Sequence, residues 1–165
     1  MKHSFGSNEK LVKAYVEQTS TCGRSGSLSF DDGILFSYAM PIARRLRDGS
    51  YLVRDAEWSP SQTTLQHIGM VKSRLDDWIN VSTIPEIRDF ETTYPFWFKQ
   101  ETENQTARAC GWLERARTAR TRRKEYITEA ELLINNLEAL LRKFDRLDIG
   151  ERIIREFRAD IERMS

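Results

Sequence analysis

The chain has 165 residues, 39% of them apolar and 31% charged, with 26 basic and 25 acidic side chains for a net charge of +1. That balance excludes bulk electrostatics as the whole basis of nucleic-acid binding, and the eleven-residue uncharged stretch Gly33–Ala43 is too short to cross a bilayer. Two cysteines, Cys22 and Cys110, and two histidines exclude a disulfide framework or an all-Cys zinc site, so no metal and no cofactor are expected.

Ser7 or Asn8 caps a first predicted helix carrying Leu11, Val12, Tyr15 and Val16 on one side, which ends before Cys22-Gly23. Leu28–Phe30 and Ile34–Tyr38 are short apolar runs flanking Asp31-Asp32-Gly33, the pattern of a β-hairpin. A third strand, Tyr51–Arg54, follows Asp48-Gly49. Between them Pro41-Ile42-Ala43 leads into Arg44, Arg45 and Arg47, read as a solvated edge. Ser59-Pro60 opens a second helix, with Pro60 at its first position and the stripe Leu65, Ile68, Val71, Leu75 and Trp78. Ile84-Pro85 ends that element, and Tyr94, Phe96, Trp97 and Phe98 form an aromatic cluster read as core.

From Glu101 onward the chain has no proline and only two glycines, Gly111 and Gly150. Trp112, Ala116, Ala119, Tyr126, Ile127, Ala130, Ile134, Leu137, Leu141 and Phe144 share one helical sector. The spacing predicts one helix over 101–144, about 66 Å long, a turn at Gly150, and an antiparallel helix over 151–164. The fold expected is therefore α+β. Residues 1–100 form a small antiparallel three-stranded sheet with two helices, and residues 101–165 a long helical hairpin.

Gly23-Arg24-Ser25-Gly26-Ser27, then Ser37-Tyr38 with Pro41-Ile42-Ala43, then Ser61-Gln62-Thr63-Thr64-Leu65-Gln66-His67 follow one another in that order. Over residues 8–75 this resembles an uncharacterised domain of tailed bacteriophages and large DNA viruses, although Ala39-Met40 stands where that pattern has a Gly-x-His-Phe stretch. The resemblance implies a viral origin, and with it the host cytoplasm, since the start of the chain has no apolar leader. It implies no activity.

Two constellations are candidate sites. Gly23, Arg24, Ser25, Gly26 and Ser27 read as an anion-binding turn. Tyr38, Thr63, Thr64 and His67 are expected beside it, so that hydroxyls, an imidazole and Arg24 converge on a small ligand or phosphate. The basic window Arg108, Arg115, Arg117, Arg120, Arg122, Arg123 and Lys124 contains a single acid, Glu114, and suits a phosphate backbone or an acidic partner. No catalytic residue is assigned. The leading reading is a non-enzymatic accessory protein that binds a protein partner, or a second copy, through the helical hairpin. A nucleic-acid binder using Arg108–Lys124 and Gly23–Ser27 is the alternative, and a small hydrolase or transferase built on Ser61, Thr64 and His67 a second one.

Overall fold

A computed structural model describes residues 3–58, 61–86 and 90–164. They fall into two compact units, Met1–Trp97 and Phe98–Ser165.

The first unit is a seven-stranded mixed sheet in sequential order: β1 (His3–Ser4), β2 (Cys22–Ser25), β3 (Leu28–Asp31), β4 (Ile34–Ser37), β5 (Met40–Arg45), β6 (Tyr51–Arg54) and β7 (Ile79–Val81). This overturns the three-stranded antiparallel sheet expected from the sequence. β2 to β6 form an antiparallel meander, while β1 pairs with β2 and β6 with β7 in parallel. Parallel neighbours need a crossover, and the crossovers are α1 (Asn8–Val16) and α2 (Gln62–Lys72). Four reversals make β6 parallel to β2, so crossovers of one hand set both helices on the same face.

The hairpins are tight. Ser25 pairs with Leu28, Asp31 with Ile34 and Ser37 with Met40, leaving two-residue turns at Gly26-Ser27, Asp32-Gly33 and Tyr38-Ala39. Gly26, Asp32, Gly33 and Tyr38 take positive φ there, as such turns demand. Gly23 is a glycine for another reason: a Cβ would overlap the Phe5 ring and approach Phe30 to 2.9 Å. The segment read as an anion-binding turn is thus mostly strand β2. β5 was missed because Pro41 cannot donate to a ladder. It is accommodated where the β4–β5 register shifts between Leu35 and Phe36. Arg44, read as solvated, is buried, and its Nη1 donates to the Pro85 carbonyl at 2.6 Å.

Leu28, Phe30, Leu35, Ala43 and Val53 face Leu11, Val12 and Tyr15 of α1 and Ile68 and Val71 of α2 in the core. Ser7 caps α1, its Oγ accepting from the Lys10 amide. Ser59 and Pro60 lie outside the described residues. The observed cap of α2 is Ser61, whose side chain accepts from the Thr64 amide. The predicted stripe is also rotated: α2 buries Thr64, His67, Ile68 and Val71, while Leu75 and Trp78 pack against the core from beyond the helix end. In the aromatic cluster, Trp97 is buried and donates to the Thr83 carbonyl at 3.0 Å, Phe98 is buried, and Phe96 is exposed.

The expected 101–144 helix is two helices. α3 (Phe90–Thr118) ends, the chain reverses through Arg122 at φ 62°, and α4 (Arg123–Lys143) runs back. Phe98 meets Phe144, Gln105 meets Asn136 and Trp112 meets Tyr126, which is antiparallel pairing. A second reversal at Asp145, φ 52°, starts α5 (Leu147–Met164). α5 returns along α4, with Arg158 bridging to Glu138. Ala116, Ala130, Ile134, Leu137 and Leu141 are all buried inside this unit. The stripe is spent on the chain itself, which counts against self-association through it. No proline or glycine marks the first reversal. The Arg123 guanidinium ties it by donating to the Ala116 carbonyl at 3.1 Å.

Gly150, expected at a turn, lies inside α5 against buried Leu141. A Cβ at Gly150 would overlap Leu141 Cδ1 and come within 3.1 Å of Cγ. Alanine gains about 1 kcal/mol of helix propensity over glycine, but overpacking a filled core costs about 1–3 kcal/mol. Gly150→Ala is therefore expected to lower the urea midpoint of the protein. The same change in a Leu141→Ala background, where the space is open, is expected to raise it.

Candidate functional site

The two crossover helices meet over the end of the sheet that carries the Gly26-Ser27 and Tyr38-Ala39 turns, and there a polar chain runs from half-buried Asn8 through buried His67, Ser37 and Thr64 to exposed Ser61. The Asn8 amide nitrogen lies 3.2 Å from His67 Nε2. His67 Nδ1 lies 2.8 Å from Ser37 Oγ, Ser37 Oγ 3.2 Å from Thr64 Oγ1, and Thr64 Oγ1 3.0 Å from Ser61 Oγ. Because the Asn8 amide donates to Nε2, the ring hydrogen sits on Nδ1 and donates to Ser37. In the Ser37–Thr64 and Thr64–Ser61 pairs either hydroxyl can donate. Every link has one donor and one acceptor, which is the condition for burying such groups without a large penalty.

Burial holds the His67 pKa below its ordinary value of 6.5, so the imidazole is neutral at pH 7. Ser37 is 1% exposed and His67 3%. Activation of a nucleophilic hydroxyl needs an imidazole nitrogen that accepts its proton, whereas Nδ1 here donates to Ser37. The pair is also closed to substrate. His67 makes no hydrogen bond to Ser61, and the hydroxyl it does bind, Ser37, is on strand β4.

The sequence-predicted constellation is brought together only in part. Tyr38 donates its amide to the Ser27 carbonyl at 2.6 Å, so these two turns adjoin. Gly26 sits with its α-carbon beside Asn8, a Cβ there lying 3.8 Å from Asn8 Oδ1. Ser25 is level with Leu28 and Ser37 on the helical face. Arg24 is level with Ser29 and Phe36, one residue out of phase, and projects from the opposite face. Arg24 and His67 therefore cannot act on one ligand. Thr63 is half-buried and outside the polar chain, and Tyr38 is 63% exposed. Asn8 and Ser37, the direct partners of His67, escaped the sequence reading as site residues. Ser37 stood in the Ser-Tyr motif, but Asn8 is 59 positions from His67, and no local signal joins them.

The basic window is reorganised by the α3–α4 reversal. Arg117 pairs with Asp160 at 2.5 Å and Arg122 with Glu125 at 2.6 Å, while Arg123 caps α3. The Trp112 and Tyr126 rings stack at 5.6 Å and 27°. The Arg115 guanidinium lies 4.7 Å from the Trp112 centroid, and Arg122 5.7 Å from that of Tyr126. Arg115, Arg120 and Lys124 are exposed and make no ion pair among the described residues. Arg108 is half-buried, further from the reversal.

Among the described residues no group of histidine, cysteine and carboxylate side chains has the arrangement of a metal site, and no helix is long and apolar enough to cross a membrane. A family of unknown function, DUF8033, matches residues 7–78. That span holds α1, the meander, α2 and the whole polar chain. No curated protein and no solved structure matches the chain.

The depressed His67 pKa has a definite consequence. As pH falls, the unfolded chain takes up the proton first, so the stability contributed by neutral His67 is complete above about pH 6.5 and is lost as pH falls through the lower folded value. The urea midpoint is expected to drop between pH 7 and pH 5. His67→Leu leaves Ser37 and Asn8 without their ring partner, costing about 1–3 kcal/mol at pH 7, yet its midpoint is expected to fall less over the same range. Parallel pH slopes for the two proteins would remove His67 as the titrating group.

Proposed function

We propose that the protein is a non-enzymatic, phage-type accessory protein that binds nucleic acid through the basic tip of its helical unit. The viral setting rests on the motif resemblance over residues 8–75. The binding role rests on one observation, the Arg115–Trp112–Tyr126–Arg122 stack beside unpaired Arg120 and Lys124.

In a straight helix the basic side chains would be strung along opposite flanks. The reversal between Thr118 and Arg123 gathers them at one end. A guanidinium held over an aromatic ring loses less freedom on meeting a phosphate. Arg115 lies over the Trp112 ring and makes no ion pair among the described residues. Arg117, Arg122 and Arg123 already have protein acceptors and serve to hold the tip together. A protein or a second copy docking on the apolar stripe, the reading the sequence favoured, has less support, because the stripe is buried within the three helices.

Three free cations give a modest, salt-sensitive interaction. Anisotropy titrations with a labelled single-stranded oligonucleotide are expected to show log K falling with log salt at a slope of about −2. Replacing Arg115, Arg120 and Lys124 together by alanine is expected to bring the slope close to zero. Replacing Arg152 and Arg155 on α5 is expected to leave it unchanged. Absence of binding at low salt, or equal loss in both variants, removes the reading in favour of a protein partner.

A further inference from the structure

The opposite end of the sheet from the His67 chain carries a cleft of about 480 Å³. It opens between the last turn of α1, the Asp32-Gly33 turn and the 46–50 loop, and its walls include Gln18, Thr21, Asp32, Gly33, Arg45 and Arg47.

Arg45 is the unusual member. It is the last residue of β5, paired with Tyr51 on β6, and its amide donates to the Gly33 carbonyl at 2.8 Å. The backbone under its side chain is therefore fixed from both neighbouring strands. The residue is half-buried, and its guanidinium makes no ion pair among the described residues. A charge drawn partly out of water without a counter-ion is costly, and the groups around it supply none. The Tyr15 hydroxyl donates to the Gly33 carbonyl at 3.0 Å and the Tyr51 hydroxyl to the Val16 carbonyl at 3.1 Å. Burial raises both phenol pKa values, so neither becomes an anion near neutral pH. Asp32, the carboxylate of the cleft wall, is exposed on its turn and makes no ion pair either.

We propose that this cleft binds a phosphate monoester carrying hydroxyl groups, with Arg45 and Arg47 on the phosphate and Asp32 and Gln18 on the hydroxyls. Two guanidinium forks match a doubly charged tetrahedral oxyanion better than a single carboxylate. The volume is in the range of small-ligand pockets and exceeds that of a bare phosphate. The polar wall suits a sugar more than an apolar ring. A free sugar phosphate and the phosphorylated end of a nucleic-acid strand share this chemistry. The site is independent of the helical tip, since every residue lining it belongs to the first unit.

The test is a ¹⁵N–¹H titration of the full chain with ribose 5-phosphate, inorganic phosphate, ribose, and a tetranucleotide with and without a 5′-phosphate. Saturable shifts of the Thr21, Gly33 and Gly49 amides are expected with ribose 5-phosphate, weaker ones with inorganic phosphate and none with ribose. Shifts there from the 5′-phosphorylated tetranucleotide alone would support the same chemistry and assign its source to a strand end. Arg45→Gln is expected to weaken binding at least about tenfold, and Arg24→Gln, on the outer sheet face, to leave it unchanged. If Arg45→Gln loses its dispersed spectrum, Arg47→Gln at an exposed position carries the test with the same expected loss. The proposal is overturned if the cleft amides do not respond to any phosphate probe up to about 10 mM, or if a folded Arg45→Gln or Arg47→Gln binds as the wild type does.

Discussion

The first unit depends on two helices crossing over parallel strand pairs at the two ends of one sheet and landing on the same face. α1 links β1 to β2 and α2 links β6 to β7, and the even number of reversals between β2 and β6 gives both crossovers the same sense. From that follow the single core under both helices, the contact between the helices, and the burial of their polar residues. Asn8 and His67 meet only because of it. The Asn8–His67–Ser37–Thr64–Ser61 chain then ties α1 to α2 and both to β4.

That chain illustrates how chemistry and structure separate. Its residue types are those of a nucleophilic site, yet the imidazole donates to Ser37 instead of accepting its proton, and Ser37, Thr64 and His67 are closed off by the packing that orders them. A neutral imidazole with both nitrogens engaged adds directionality that an apolar pair lacks, and it penalises any other placement of α2 through unsatisfied polar groups. The exposed features lie elsewhere: a polar cleft at the far end of the sheet, and a cationic tip on the helical unit. In both, guanidinium groups are held by strands or rings and are not all matched by carboxylates.

The helical unit adds a second constraint. Its stripe is too long to be covered by one short partner helix, and the chain solves this by folding the stripe on itself. Leu113, Ala116 and Ala109 of α3, with Ile134, Leu137 and Leu141 of α4, become one interior completed by Ile154, Phe157 and Ile161 of α5. Buried Gln105 donates to Glu101 and accepts from Asn136, which fixes the register of α3 against α4. The reversal that buries the stripe also concentrates the arginines.

Local signals in the sequence determined much of the secondary structure. The Ser7 cap, the Asp32-Gly33 hairpin, the strands around Leu28–Phe30, Ile34–Ser37 and Tyr51–Arg54, and the helical nature of the second region all follow from spacing, capping and turn chemistry acting over a few residues. Tertiary structure alone decided the rest. β1, β2 and β7 are two to four residues long and unremarkable in composition, and they become strands because neighbours offer them hydrogen-bonding edges. β5 overrides its proline because the sheet needs a strand between β4 and β6. The inward turn of Thr64 and His67 reflects partners waiting on α1 and β4, and Arg24 was separated from His67 by the pleat, which sends adjacent residues to opposite faces. The break after Thr118 carries no glycine or proline, because it is driven by the gain from closing the apolar stripe on itself, a long-range energy that no window of sequence displays.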